Sequence, residues 1–546
     1  MTRLDADFDA VAGAPTASTP SPKRSEPTGT RLDDWWGRLL AVPGAKQFWY
    51  WGGPIAVTLL AAVLRLVRLG DPRSLVFDET FYVKDAWTLL HLGYEGSWPD
   101  NADRAFNAGD VNSFTTSGSY VAHPPLGKWM IALGLRVFGA QDTVGWRIST
   151  AIAGVLAVLL LVIIARTLFN STLLATIAGG LFAIDGHAIV MSRTALLDNF
   201  VMIFTLLGFG AILLDRAQSA ARLSLWLARR ADAGRGIDWG PAIWWRPWLI
   251  TAGILFGAAT AVKWSGLYFL AAFAVYSLVV DALARRAAGI PFFISGTIFK
   301  QGPVTFLLTI PLALATYLAS WIGWFVTKDG YFRNWAEVPG NAATGFFSWV
   351  PHSVQSFLHY QSSVYDFNVN EHSAHPYSAN PFGWLLMLRP TAFYYVGQTN
   401  GQGGCSFSSC AEYVTSIANP ILWWAATAAL IYLVYRLVRY REWRVGLILM
   451  GLVAGYLPWL LYSNRTIFQF YAIIFEPYMI LGLVFVIGLI LGRRDDSTYR
   501  RTRGIGVVTV FLFFVVLLSA FFYPVWTGMQ VPELFARLHY WLPGWR

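Results

Sequence analysis

Apolar runs recur along this chain from residue 49 to residue 524, each long enough to cross the roughly 30 Å hydrocarbon core of a bilayer as a helix. That recurrence constrains the fold more than any motif does. A segment immersed in lipid must satisfy its own backbone, which leaves only helices or a closed barrel. Runs at 49–69, 146–166, 171–190, 195–214, 247–263, 265–284, 303–326, 418–436, 445–462, 469–491 and 505–524 predict an all-α polytopic membrane protein with about eleven transmembrane helices. With 55% apolar and only 13% charged residues, the chain leaves no room for a soluble domain of ordinary size.

The net charge of +10 does not point to nucleic acid, because Lys and Arg form no basic stripe with interleaved aromatics. They sit at alternate ends of the apolar runs, as the positive-inside rule requires, and so report orientation. Residues 1–48, rich in Pro, Ser, Thr and charge, read as a disordered cytoplasmic tail without a signal-peptide pattern. The bundle 49–326 then includes an extracytoplasmic loop at 70–144. A second large loop follows at 327–417, more helices at 418–524, and an extracytoplasmic tail at 525–546. The predicted location is the plasma membrane, with the N-terminus cytoplasmic and the C-terminus outside. Within the first loop, Leu126, Trp129, Met130, Leu133 and Val137 keep helical spacing with Lys128 and Arg136 off that face, which predicts an amphipathic helix in the interface.

Chemistry concentrates in Leu75-Val-Phe-Asp-Glu-Thr-Phe-Tyr-Val-Lys-Asp-Ala-Trp87. The plain reading of Asp78-Glu79 is a helix N-cap with an acidic first turn. The functional reading is a carboxylate made more basic by partial desolvation among aromatics beside a membrane surface, and an N-cap position could serve both. Arg65, Arg68, Lys128, Arg193, Lys263, Arg389 and Arg465 lie at predicted outer ends, where snorkelling explains many of them. A lipid phosphate would nevertheless need one or two, with Arg favoured for its planar fork. His352, His359, His372 and His375 with Glu371 read as a polar surface or substrate groove, since a closed metal site wants more ligands. Cys405 and Cys410, the only cysteines, lie in the second outer loop, an oxidising setting that predicts a disulfide.

Five patches in order resemble the protein O-mannosyltransferases, with a composition similar to actinobacterial members. They are Phe77–Trp87, His123-Pro-Pro-Leu-Gly-Lys128, Ser192-Arg-Thr-Ala-Leu-Leu-Asp198, Val262-Lys-Trp-Ser-Gly-Leu-Tyr268 and the stretch from His375 to Pro390. The resemblance implies a C-type glycosyltransferase fold that moves mannose from polyprenyl-phosphate-mannose to Ser or Thr hydroxyls of exported proteins. It implies Asp78 as the acidic residue of catalysis, Glu79 as its partner, and Arg193 as an arginine tied to activity. The eukaryotic β-trefoil insertion has no room in the second loop. The expected scheme is inverting: Asp78 takes the acceptor proton while cations such as Arg65 or Arg193 stabilise the departing phosphate, and Arg65, Lys128, Arg193, His375 and Arg389 are the expected substrate-binding residues. It requires no metal cofactor, with a metal-assisted version kept open. Expected partners are the lipid-linked donor, exported acceptors, membrane lipids and an export channel, with no nucleic acid. Two competing readings are a transferase acting on a lipid or cell-wall glycan, and a transporter, which would place its charges nearer the middle of spans.

Overall fold

The computed structural model describes residues 28–546. Among them, eight helices are long and apolar enough to cross a membrane, from Ala45–Leu66 to Thr498–Thr527. Helix falls within each of the predicted runs, but three runs fall short of a plain span. Pro247–Val262 and Glu476–Leu491 have 16 residues each, about 24 Å of helix. Thr172–Ile184 meets Gly186–Arg193 at a 60° bend. By length and composition alone the described residues hold eight spans, or nine if the bent pair is one; the expected eleven needs both 16-residue helices to cross as well.

The bend is built from polar side chains that serve helix ends. Asp185 accepts from the amides of His187 and Ala188, capping the second helix, and from the Asn419 amide at 2.9 Å. The last carbonyls of a helix have no partner within it. Arg65 of the first span donates to the carbonyls of Phe182 and Ala183 (3.0 and 2.8 Å) and to Ser192 Oγ. Arg193 returns the service, donating to the carbonyls of Arg65, Val67 and Arg68 at 2.7–3.0 Å. Arg65 thus satisfies the end of Thr172–Ile184, and Arg193 the end of the first span. Interrupted backbone at membrane depth is tolerated when it is buried in protein in this way.

The segment after the first span returns to the bundle as Glu79–Leu92, which lies on Leu126–Phe138, which in turn lies on Thr143–Phe169. A Cβ on Gly134 would stand 2.4 Å from the Gly145 carbonyl oxygen, so this last crossing needs glycine. Leu126–Phe138 turns Leu133 and Val137 outward, 67% and 74% exposed, as an interfacial helix would. Its opposite face, with Lys128, Ile131 and Leu135, is buried.

The fold outside the helices adds to these expectations. The second loop carries two strands, and Ala392–Thr399, Ser409–Thr415 and Val531–Pro532 form an antiparallel sheet in that order. Cys405 and Cys410 are joined in a disulfide that ties the turn to the second strand. The C-terminal segment is not a loose tail, because it supplies the third strand and Trp545 donates to the Met387 carbonyl at 2.7 Å. At the other end, the tail expected to be disordered through residue 48 carries the helix Arg31–Ala41, closed by a capping box between Thr30 and Asp33 and held to Arg501. The rest of that expectation, residues 1–27, lies outside the described residues.

Candidate active site

Phe77 sets the direction of the acidic motif. Its backbone is left-handed (φ 49°), a conformation costing about 1–3 kcal/mol for a non-glycine residue. Packing holds it there: the Phe77 ring lies 5.2–5.6 Å from those of His375, Phe393, Phe468 and Phe470. Asp78 follows at the N-cap of Glu79–Leu92, yet its side chain makes no capping bond. The plain reading of Asp78 therefore describes its position and not its carboxylate. That carboxylate is half-buried and accepts from the Tyr82 hydroxyl one turn on. Burial pushes it up to about 6, Lys263 draws it down, and Asp198 adds to the rise.

Glu79 sits in the opposite environment. It is fully buried, and four groups donate to it: Arg147 Nε and Nη2 (2.8 Å each), the Ala195 amide (2.8 Å) and the Val76 amide (3.0 Å). Arg147 also donates to the carbonyls of Pro72 and Ser74 at 2.9 Å. One guanidinium thereby fixes both flanks of Asp78 to the helix Thr143–Phe169. With its oxygens saturated, Glu79 positions the loop and has no lone pair aimed at a substrate.

The remaining motifs converge on Asp78. Asp198 and Lys263, from two of the patches described above, form a buried ion pair at 3.0 Å, with Lys263 Nζ 3.9 Å from the centre of the Tyr471 ring. Lys263, His123, Tyr268, Asn368, Tyr462 and Arg465 line a cavity of about 100 Å³. Burial, with Lys263, Lys128 and Arg465 nearby, holds His123 well below the ordinary histidine range, so it enters the cleft neutral. Arg465 gives one bond to Asn368 Oδ1 (2.9 Å), while its Nε is buried and donates to no protein acceptor. Deeper on the Glu79–Leu92 helix, Asp85 stands 3.6 Å from Lys128, which also binds Glu95 at 2.5 Å. Burial lifts Asp85 to about 6.

This geometry redistributes the expected substrate contacts. Arg65 and Arg193 spend their donors on helix ends, Lys128 is 1% exposed and held by two acids, and Arg389 donates to the carbonyls of Pro376 and Gly544. A phosphate could recruit these groups only by stripping buried carbonyls and carboxylates of their partners. His375 does lie beside the motif, against Phe77, and burial lowers its basicity. His372 turns to the Asn464 carbonyl, and among the described residues no group of three His, Cys, Asp or Glu is gathered that could hold a metal. Arg147, Asp198 and Asp85 are the site residues the sequence reading missed. Asp78, Tyr82 and Asp85 at i, i+4 and i+7 share one helix face, a signal that was present in the spacing.

Residues 55–229 match the family model described as dolichyl-phosphate-mannose-protein mannosyltransferase, and residues 353–545 match that of the C-terminal four TMM region of protein-O-mannosyltransferase. A polyprenol-phosphate-mannose–protein mannosyltransferase of Mycolicibacterium smegmatis is 34% identical, with 100% of both chains covered. One so named from Mycobacterium tuberculosis is 35% identical over 90% of this chain and 91% of its own. In fold, the chain is similar to a solved Saccharomyces cerevisiae protein O-mannosyltransferase complex bound to the sugar donor, with a TM-score of 0.67 at 15% identity over 96% and 95% of the two chains.

Proposed function

Because this chain belongs to the protein O-mannosyltransferase family, we infer that its cleft transfers mannose from polyprenyl-phosphate-mannose to Ser or Thr hydroxyls of exported proteins. The observation that carries the assignment of the base is Asp78: a half-buried carboxylate, free of capping duty, raised by burial and within the field of Lys263, which lines the cavity. It takes the hydroxyl proton as the acceptor oxygen bonds to the anomeric carbon. The bond from that carbon to the phosphate oxygen breaks on the opposite face, and its electron pair leaves with the lipid phosphate. That leaving group is already an anion, so no general acid is obligatory. Arg465, with a spare buried donor in the cavity lining, is the cation we assign to the growing charge. Arg65, Arg193 and Arg389 act one layer out by holding the backbone, Lys128 by holding Asp85 and Glu95, and Cys405–Cys410 steadies the outer loop.

The Lys and Arg distribution supports a plasma-membrane orientation with the N-terminus inside and the cleft outside, where exported acceptors arrive, from an export channel on this reading.

Two measurements test the site. A base must be ionised, so with Asp78 at about 6, kcat/KM for an acceptor peptide should be level above pH 6 and fall about tenfold per unit below it. A profile flat through that region would remove Asp78 from proton transfer. Arg465→Ala should raise the donor KM about 10- to 100-fold, the worth of a hydrogen bond to a charged group. Unchanged donor dependence would remove Arg465 from donor binding.

A further inference from the structure

The helix Asp198–Asp232 starts at the active site and ends far from it. Arg222 lies 24 residues beyond Asp198 on that helix, about 36 Å along its axis. There Arg222, Trp226 and Arg229 face Trp244 and Trp245 across a pocket of about 270 Å³. We propose that this pocket holds the phosphate headgroup of an anionic membrane lipid.

Charge bookkeeping within the pocket is the first support. Arg222 Nε is sealed from solvent and donates to no protein acceptor. Among the described residues, neither Arg222 nor Arg229 pairs with a carboxylate, whereas Arg246, next to Trp245, takes both Asp215 and Asp281 at 2.5 Å. Asp215 and Asp281 are thus spent on Arg246, and the forks of Arg222 and Arg229, with no ion pair of their own, are open to an anion from outside. A guanidinium fork matches phosphate oxygens in planar, bidentate geometry.

The rim chooses a lipid over free phosphate. Trp244 and Trp245 are 56% and 65% exposed, and Leu225 on the helix is 60% exposed. Tryptophans of this kind rest at the headgroup level, with apolar rings toward acyl chains. A soluble phosphate has nothing to lay on that rim, while a phospholipid fills both halves. The site lies at the opposite end of the helix from Asp78, so it concerns anchoring of the bundle and not the transferred sugar.

The test uses the purified full-length protein in neutral detergent and native mass spectrometry with phosphatidylglycerol as the probe. The wild type should retain at least one phosphatidylglycerol at concentrations where the Arg222→Gln/Arg229→Gln variant binds it about tenfold or more weakly. The Arg222→Lys/Arg229→Lys variant, with charge but no fork, should fall between them, and mannosyl transfer in neutral detergent should be unchanged in all three. Equal phosphatidylglycerol occupancy in wild type and the Gln variant overturns the proposal. So does displacement of the lipid by millimolar inorganic phosphate, which would make this a site for the free anion.

Discussion

Asp78→Asn is expected to abolish mannosyl transfer, by a factor of about 10² to 10⁴, in a protein that is no less stable than the wild type. The two halves of that expectation come from one environment. Asp78 is raised from its ordinary 3.8 to about 6, with burial as the main cause. The folded state therefore binds this proton more tightly than the unfolded chain, and stability falls as pH rises from about 4 to about 6. At pH 7 the ionised carboxylate is a net cost to the fold, which the neutral amide removes while keeping the shape and the Tyr82 contact. A thermal midpoint equal to or above the wild type at pH 7, with the difference closing below about pH 4, would mark stability given up for function. Transfer within a few-fold of wild type would refute the role of Asp78. A lower midpoint at pH 7 would refute the account of its environment.

The sequence made the reaction legible sooner than the division of labour around it. Asp78 stood out because an aromatic-flanked acid pair and four other patches keep a family's order. What the order could not show is that Glu79 reaches Arg147 and Ala195 while Asp78 reaches Tyr82. Adjacent residues at a helix start diverge by about 100°, and only the packing decides which one faces inward. Cations were harder still. An arginine at the end of a span looks the same in sequence whether it snorkels, caps a helix or binds phosphate. Arg65 and Arg193 cap helices, because a neighbouring span is broken at Asp185. The acid in Ala183-Ile-Asp-Gly186, inside an apolar run, was the visible trace of that break. The sheet was also written locally, in the aromatic and β-branched run Phe393-Tyr-Tyr-Val396. Its third strand comes from beyond the last span, a pairing no local pattern announces.

Arg147→Ala should be the most damaging single substitution to the fold around the site, because it strands Glu79 as a fully buried charge. Removing one partner of a buried ion pair costs about 3–5 kcal/mol, and here the carbonyls of Pro72 and Ser74 lose their donor as well. The loop bearing Asp78 would loosen, so transfer should disappear together with thermal stability in detergent. Glu79→Gln/Arg147→Met separates the two effects. It removes both charges, so much of the stability should return. Transfer should not, since the bonds that aim Phe77 and Asp78 are still missing. Full recovery of activity in the double variant would mean that Glu79 and Arg147 only tolerate each other. Recovery of the fold without activity would make the pair the device that holds a strained loop, and with it the base, in working order.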